Sequence, residues 1–272
     1  MQLDLFALLQ IPEQYIVMIQ RYAAAMILLA ILIAITRWQG LGIGSKLIVG
    51  TIRGTIQIIL MALILVYIFA LSNLIVIFGV LTFMAVFAAY TTRSNLERIP
   101  GVMRATLPGI VVGALSVMAV AVALEIIDWQ SGPGEFIIPM GGMLIGNCMG
   151  LTSLVIDRMW SNAQKQRALL ETALALGATP KQATVLTIRE SIRSGLLPNL
   201  NRYASLGIVS IPGLMSGMII GGVNPLEAAI YQVIIFIMIF LSAMIASLIT
   251  SHLFLREMFN ERAQLTVPPP EL

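Results

Sequence analysis

Seven stretches of this chain are long and apolar enough to cross the roughly 30 Å hydrocarbon core of a bilayer, which takes about 20 helical residues. They fall near 16–36, 54–71, 74–91, 105–127, 137–156, 203–222 and 226–250. Backbone groups have no water to bond to inside lipid, so only helices and closed barrels can span it. These runs are continuously apolar and do not alternate, which excludes a barrel. Composition agrees, with 58% hydrophobic residues, 11% charged and a mean hydropathy of +0.94, far from the averages of soluble domains. The prediction is an all-α integral membrane protein of about seven transmembrane helices, the second and third forming a tight hairpin across "LSN". No cleavable signal peptide is expected, because the first run is too long and Asp4 and Glu13 precede it.

Loops on the cytoplasmic side of a membrane collect Lys and Arg, and here they separate cleanly. The segments after the first, third and fifth runs and after the last hold 15 of the 16 basic residues; the exception is Arg21, inside the first run. The other side carries Asp4, Glu13, Glu125, Asp128, Glu135 and Glu227. The N-terminus is therefore predicted outside and the C-terminus inside, in the inner (plasma) membrane. Residues 1–258 read as a single transmembrane permease domain and 259–272 as a cytoplasmic tail, its proline-rich end "TVPPPEL" disordered.

The longest polar segment, 157–202, separates the fifth and sixth runs and lies in the cytoplasm on this scheme. Gly177 can end a helix in a left-handed conformation, while Thr179 and Pro180 supply an N-cap and a first-turn residue for the next. Helices are thus predicted near 163–176 and 180–197. Both are amphipathic, through Leu169, Leu170, Ala173, Leu174 and Leu176 in the first and Val185, Ile188, Ile192 and Leu196 in the second. By periodicity alone, such a hairpin either packs on itself or the bilayer surface, or serves as a docking site.

Within it, "ETALALGATPKQATVLTIRESIRSGLLP" resembles the cytoplasmic loop motif of ABC transporter membrane subunits. Glu171, Ala173, Gly177 and Ala178 fit the motif, as does the closing Leu197-Pro198, while Thr172 replaces an alanine. Together with "IPMGGMLIGNCM" (138–149), "GIVSIPGLMSGMIIGG" (207–222) and "NPLEAAIYQ" (224–232), the chain is similar to the iron-export permeases of the Fet type, a family that also includes plant aluminium-tolerance proteins. That resemblance implies a permease working as a pair with two copies of a separate ABC ATPase and exporting iron or a related metal. It also implies an ATPase-coupling role for Glu171, Ala173, Gly177, Ala178, Thr179 and Pro180. An organic cargo, such as a sugar nucleotide or lipid, is the alternative.

No G-x-x-x-x-G-K-[ST] occurs, and "GLGIGSK" at 40–46 has the wrong spacing, so ATP and magnesium are expected on the partner and no cofactor on this chain. A lone histidine, a lone cysteine and no H-E-x-x-H leave no catalytic set. Expected partners are the ATPase, a second copy of the chain and the bilayer, with no nucleic acid.

Inside the membrane, small residues four apart mark close helix packing. Gly142, Gly146 and Gly150, then Gly213, Gly217 and Gly221, and Gly109 with Gly113 form three such stripes. Asn147 lies mid-span and is expected to bond across to a neighbouring helix or to line a substrate route. Met143, Gly146, Asn147, Met149, Pro212, Gly213, Met215 and Gly217 are therefore the pathway or packing candidates. Methionine is a common gap-filler, and no resident metal site is expected. For a metal cargo, Glu125, Asp128, Glu135 and Glu227 are candidate transient contacts on the outer side.

Overall fold

The structure, a computed structural model, describes residues 13–69, 73–126 and 132–269. Nine helices are described: α1 (Glu13–Trp38), α2 (Gly44–Phe69), α3 (Leu74–Asn95), α4 (Val102–Ala123), α5 (Pro133–Lys165), α6 (Arg167–Ala175), α7 (Pro180–Ala204), α8 (Gly213–Ile220) and α9 (Pro225–Glu257). Six of them, α1 to α5 and α9, are long and apolar enough to cross a membrane. The chain divides into two units, residues 1–67 and 68–272. In the first, the turn between α1 and α2 uses Gly40 and Gly42 at positive φ, and Tyr22 Oη lies 3.0 Å from Thr55 Oγ1.

The second unit is built on α3, α4, α5 and α9, which all pack against one another except α3 with α9; the seam between α4 and α9 is the most extensive. The reason is steric. Cβ atoms built on Gly109 and Gly113 would lie 2.1 Å from Thr250 Oγ1 and 2.6 Å from the Ser242 carbonyl, so α9 occupies the room a side chain would need. Contact this close suits a membrane protein, whose helices gain from van der Waals approach and not from hydrophobic drive.

Toward one end the bundle continues as a buried apolar core that includes Leu96, Ile99, Val155, Met159, Trp160 and Phe254. The Trp160 and Phe254 rings pack there in a tilted arrangement, with centroids 6.4 Å apart and planes at 48°. Leu170 of α6 joins this core, which holds the hairpin against the bundle. The hairpin breaks as predicted: Gly177 has φ +92°, and Thr179 caps α7 in a reciprocal box with Gln182, with Pro180 in the first turn. Its arms differ from the expectation. The expected start of the first arm, 163–165, belongs to α5, which runs unbroken for 33 residues, about 50 Å at roughly 1.5 Å per residue. The second arm, α7, continues past Leu197 and through Pro198 to Ala204.

Two expectations are corrected. The predicted sixth span, 203–222, is not one helix: α7 ends at Ala204, a turn follows in which Gly207 (φ +81°) donates to the Ser210 carbonyl at 3.0 Å, and α8 has only 8 residues. Hydropathy cannot register this interruption, because Leu206, Ile208, Val209 and Ile211 are as apolar as a helix interior. The second correction concerns part of the tail. Residues 265–269 are packed: Val267 is fully buried, Leu265 nearly so, Thr266 Oγ1 donates to the Met258 carbonyl at 2.9 Å, and Arg167 donates to the Val267 carbonyl; 270–272, the end of "TVPPPEL", lie outside the described residues. Residues 258–269 thus form a strap from the end of α9 back to α6.

Candidate functional site

The interrupted segment runs beside α9. Tyr203, at the end of α7, packs on Phe236 and Phe240 with ring centroids 5.3 and 5.6 Å away, and one further turn along α9 the Met215 N–H donates to Gln232 Oε1 at 3.3 Å. Non-helical backbone at membrane depth is tolerated where it is buried in protein or lines a cavity. A cavity of about 310 Å³ lies at this break, between α5, α7, α8 and α9. Its polar lining comes from Asn147, Asn199, Arg202 and Gln232, and its apolar walls from Met143, Phe236, Ile239 and Phe240. Pro212 and Gly213, at the start of α8, close another side. An adjoining space of about 230 Å³ shares Asn147, Asn199 and Arg202 and adds Gly146, Gly150, Gly195 and Pro198.

Each polar group is positioned by a distinct local cause. Asn147 donates from Nδ2 to the Met143 carbonyl one turn back at 2.9 Å, so it bonds within its own helix and not across to a neighbour as one expectation had it. Gln232 is 6% exposed, and its carbonyl oxygen is engaged by Met215. Asn199 and Arg202 lie one turn apart on α7, directly after Pro198, which cannot donate to the preceding turn. Among the described residues Arg202 makes no ion pair.

Of the pathway candidates, Met143, Gly146, Asn147, Pro212 and Gly213 line these spaces, whereas Met149, Met215 and Gly217 do not. The glycine stripes behave differently from one another. Cβ atoms on Gly146, Gly150, Gly213 and Gly217 would meet nothing within 4 Å, and one on Gly142 would meet only Met84 Cε at 3.2 Å. Within this chain, then, Gly109 and Gly113 sit in close helix contact, while Gly146, Gly150, Gly213 and Gly217 have no neighbour of the same chain where a side chain would begin. Sequence reasoning missed Asn199, Arg202 and Gln232; Arg202 was counted only as a cytoplasmic charge, although an Arg next to an apolar run was the available signal.

The acidic candidates do not assemble into a metal group. Glu125 follows α4 at φ +52°, while Glu135 and Glu227 lie in the first turns of α5 and α9. Helix direction puts all three at the end of the bundle opposite the hairpin, but among the described residues no three His, Cys, Asp or Glu side chains come together to hold an ion. Asp128 lies outside the described residues.

At the hairpin, Glu171 pairs with Arg167 at 2.8 Å, one turn back on α6. Ala173 is half-buried, and Gly177 has open space around its Cα. Leu176, beside it, is 84% exposed, and Leu169 is 66% exposed. The corner formed by Gly177, Ala178, Thr179 and Pro180 therefore presents apolar side chains around a tight turn. A pocket between α6 and the strap, lined by Arg167, Glu171, Ala178, Arg262 and Gln264, borders this corner.

The model of a family described as "Uncharacterised protein family (UPF0014)" matches residues 19–259. The chain belongs to that family. Among its relatives, the probable iron export permease protein FetB of Escherichia coli is 30% identical over 248 residues, covering 90% of this chain and 93% of that one. The UPF0014 membrane protein STAR2 of rice is 29% identical over 253 residues, 93% of this chain and 88% of its own. Protein ALUMINUM SENSITIVE 3 of Arabidopsis thaliana is 30% identical over 243 residues, 89% and 88% respectively. No solved structure matches. This UPF0014 member is thus a multi-pass membrane protein of the group that contains the Fet-type permeases.

Proposed function

We propose that this chain is the membrane-spanning subunit of an ATP-driven transporter that exports iron or a related metal, working as a pair with two copies of a separate ATPase. The relation to the FetB permease, at 30% identity over 90% of the chain, supports the metal cargo. The observation that carries the coupling is the course of α7. One helix of 25 residues, about 37 Å at roughly 1.5 Å per residue, begins at the exposed Thr179–Pro180 corner and ends with Asn199 and Arg202 in the cavity wall. A displacement imposed on the corner by a closing ATPase is delivered along α7 to the groups that line the cavity. Gly195 lets this helix lie close against α5, where a Cβ would fall 2.6 Å from Leu151 Cδ1, so a displacement of α7 would bear directly on α5. In this arrangement the N-terminus is outside, the C-terminus is cytoplasmic, and the seventh crossing is the interrupted one made by the end of α7, the 205–212 turn and α8.

The test is co-purification of the ATP-hydrolysing subunit with the wild-type chain, then metal transport by the pair in lipid vesicles. Leu176→Asp is expected to leave insertion intact and to remove the ATPase from the purified complex, since Leu176 contributes nothing to the folded interior. Gly177→Val, which forces a β-branched residue to φ +92°, is expected to uncouple hydrolysis from transport. Normal ATPase retention and transport by both variants would overturn the docking role.

A further inference from the structure

We infer, resting on the metal-export reading above, that the metal crosses as an anionic, oxygen-ligated complex held in the cavity by Arg202, Gln232 and the start of α8, and not as a bare cation. The argument is the donor set. A bare divalent cation sheds water only for several oxygen, nitrogen or sulfur ligands, the harder cations favouring carboxylates. Among the described residues, no carboxylate, imidazole or thiol lines the cavity. Its acceptors are side-chain carboxamide oxygens and the Met143 thioether. One of those oxygens, Gln232 Oε1, is already taken by Met215 N–H.

What the cavity offers instead is hydrogen-bond donors. The Arg202 guanidinium carries five N–H groups, a permanent positive charge and no acceptor. Gln232, with its oxygen engaged, has its Nε2 left to donate. The first bond within α8 runs from Ser216 N–H to the Pro212 carbonyl, so the N–H groups of Gly213 and Leu214 stand outside the helical ladder at the cavity wall. They form the positive end of the α8 dipole, which favours negative charge. A guanidinium and helix-end N–H groups around one space repel a cation and bind an oxyanion. Asn147, whose Nδ2 is committed to Met143, presents Oδ1 to accept from a hydroxyl of the same ligand. Among the described residues lining the larger space, Arg202 is the one cation and no carboxylate stands there to cancel its charge.

The experiment uses the permease–ATPase pair in lipid vesicles with three labelled probes: ferric citrate, ferrous ion kept reduced with ascorbate, and citrate without metal. Ferric citrate is expected to bind and to be transported, and Arg202→Gln to weaken its binding at least roughly tenfold, the size of a lost charge-assisted bond. Arg202→Lys should fall between, because a point charge does not replace the planar fork. Asn199→Asp, which places a carboxylate one turn from Arg202, should weaken ferric citrate binding and strengthen that of ferrous ion. Unchanged chromatographic elution and ATPase retention show that the variants are folded. Transport of ferrous ion alone, indifferent to all three substitutions, overturns the inference and leaves the metal-export reading standing. Arg202-dependent transport of metal-free citrate as fast as ferric citrate overturns the metal-export reading and, with it, this inference.

Discussion

Two sets of glycines with the same four-residue spacing do opposite things in this molecule. On α4, Gly109 and Gly113 are filled by the neighbouring helix, with α9 atoms within 3 Å of where their side chains would begin. On α5, Gly146 and Gly150 face open space beside Asn147, Asn199 and Arg202. One pair makes a seam and the other makes room. The bundle is therefore filled along the α4–α9 seam, while α5 and α7, which touch at Gly195 and Leu151, leave a space beside Gly146 and Gly150, and the polar residues sit at that space.

The strongest challenge to this contrast is Gly113→Leu, which drives a side chain into the Ser242 carbonyl and Ala246. It should cost at least about 3 kcal/mol, with overpacking of backbone that cannot move, and yield little folded protein on detergent-solubilised size exclusion. Folded, thermally normal G113L would break the seam. Gly109→Ala is expected to be milder, about 1–3 kcal/mol, and partly rescued by Thr250→Ala, since Thr250 Oγ1 is the nearest obstruction. That hydroxyl is buried and has no hydrogen-bond partner among the described residues, so removing it alone should cost little, and a double-mutant cycle on Tm reads the coupling. Gly195→Ala meets the flexible end of Leu151 at 2.6 Å and Val155 Cγ2 at 3.2 Å, and a loss of about 1 kcal/mol is expected by the same thermal assay. Smallest in stability is Gly146→Ala, where the added methyl meets nothing and Tm should hold or rise slightly. Its effect should appear in transport, as a lower rate through a narrowed cavity. A fall in Tm as large as that of Gly109→Ala would erase the distinction between the two stripes.

The same contrast marks how far the chain could be read before its structure. Apolar length gave α1 to α5 and α9 directly, and the Gly177–Thr179–Pro180 punctuation located the hairpin corner to the residue. Glycine spacing located helix faces but not what lies opposite them, which depends on helices far away in the chain. Hydropathy averaged over the break at 205–212, although Gly207 and Pro212 bracketed it. Asn199, Arg202 and Gln232 escaped because α7 was expected to stop near 197, which left Arg202 in a loop and Gln232 in a featureless span. The packed part of the tail escaped for a different reason: "VPPP" has the composition of a disordered segment, yet the buried Leu265 and Val267 and the hydrogen bonds of Thr266 and of Arg167 attach its first residues to α9 and α6.

That strap changes the mechanics of the hairpin. Covalently, the corner connects to the bundle through α6 and α5 on one side and through α7 on the other. The contact between residues 258–269 and α6 adds a third route, from the C-terminal end of α9, and closes the chain into a ring. Elements joined at both ends act as springs in parallel, whose stiffnesses add. A load applied at Gly177 would be shared between α7 and the end of α9, two helices that both line the cavity.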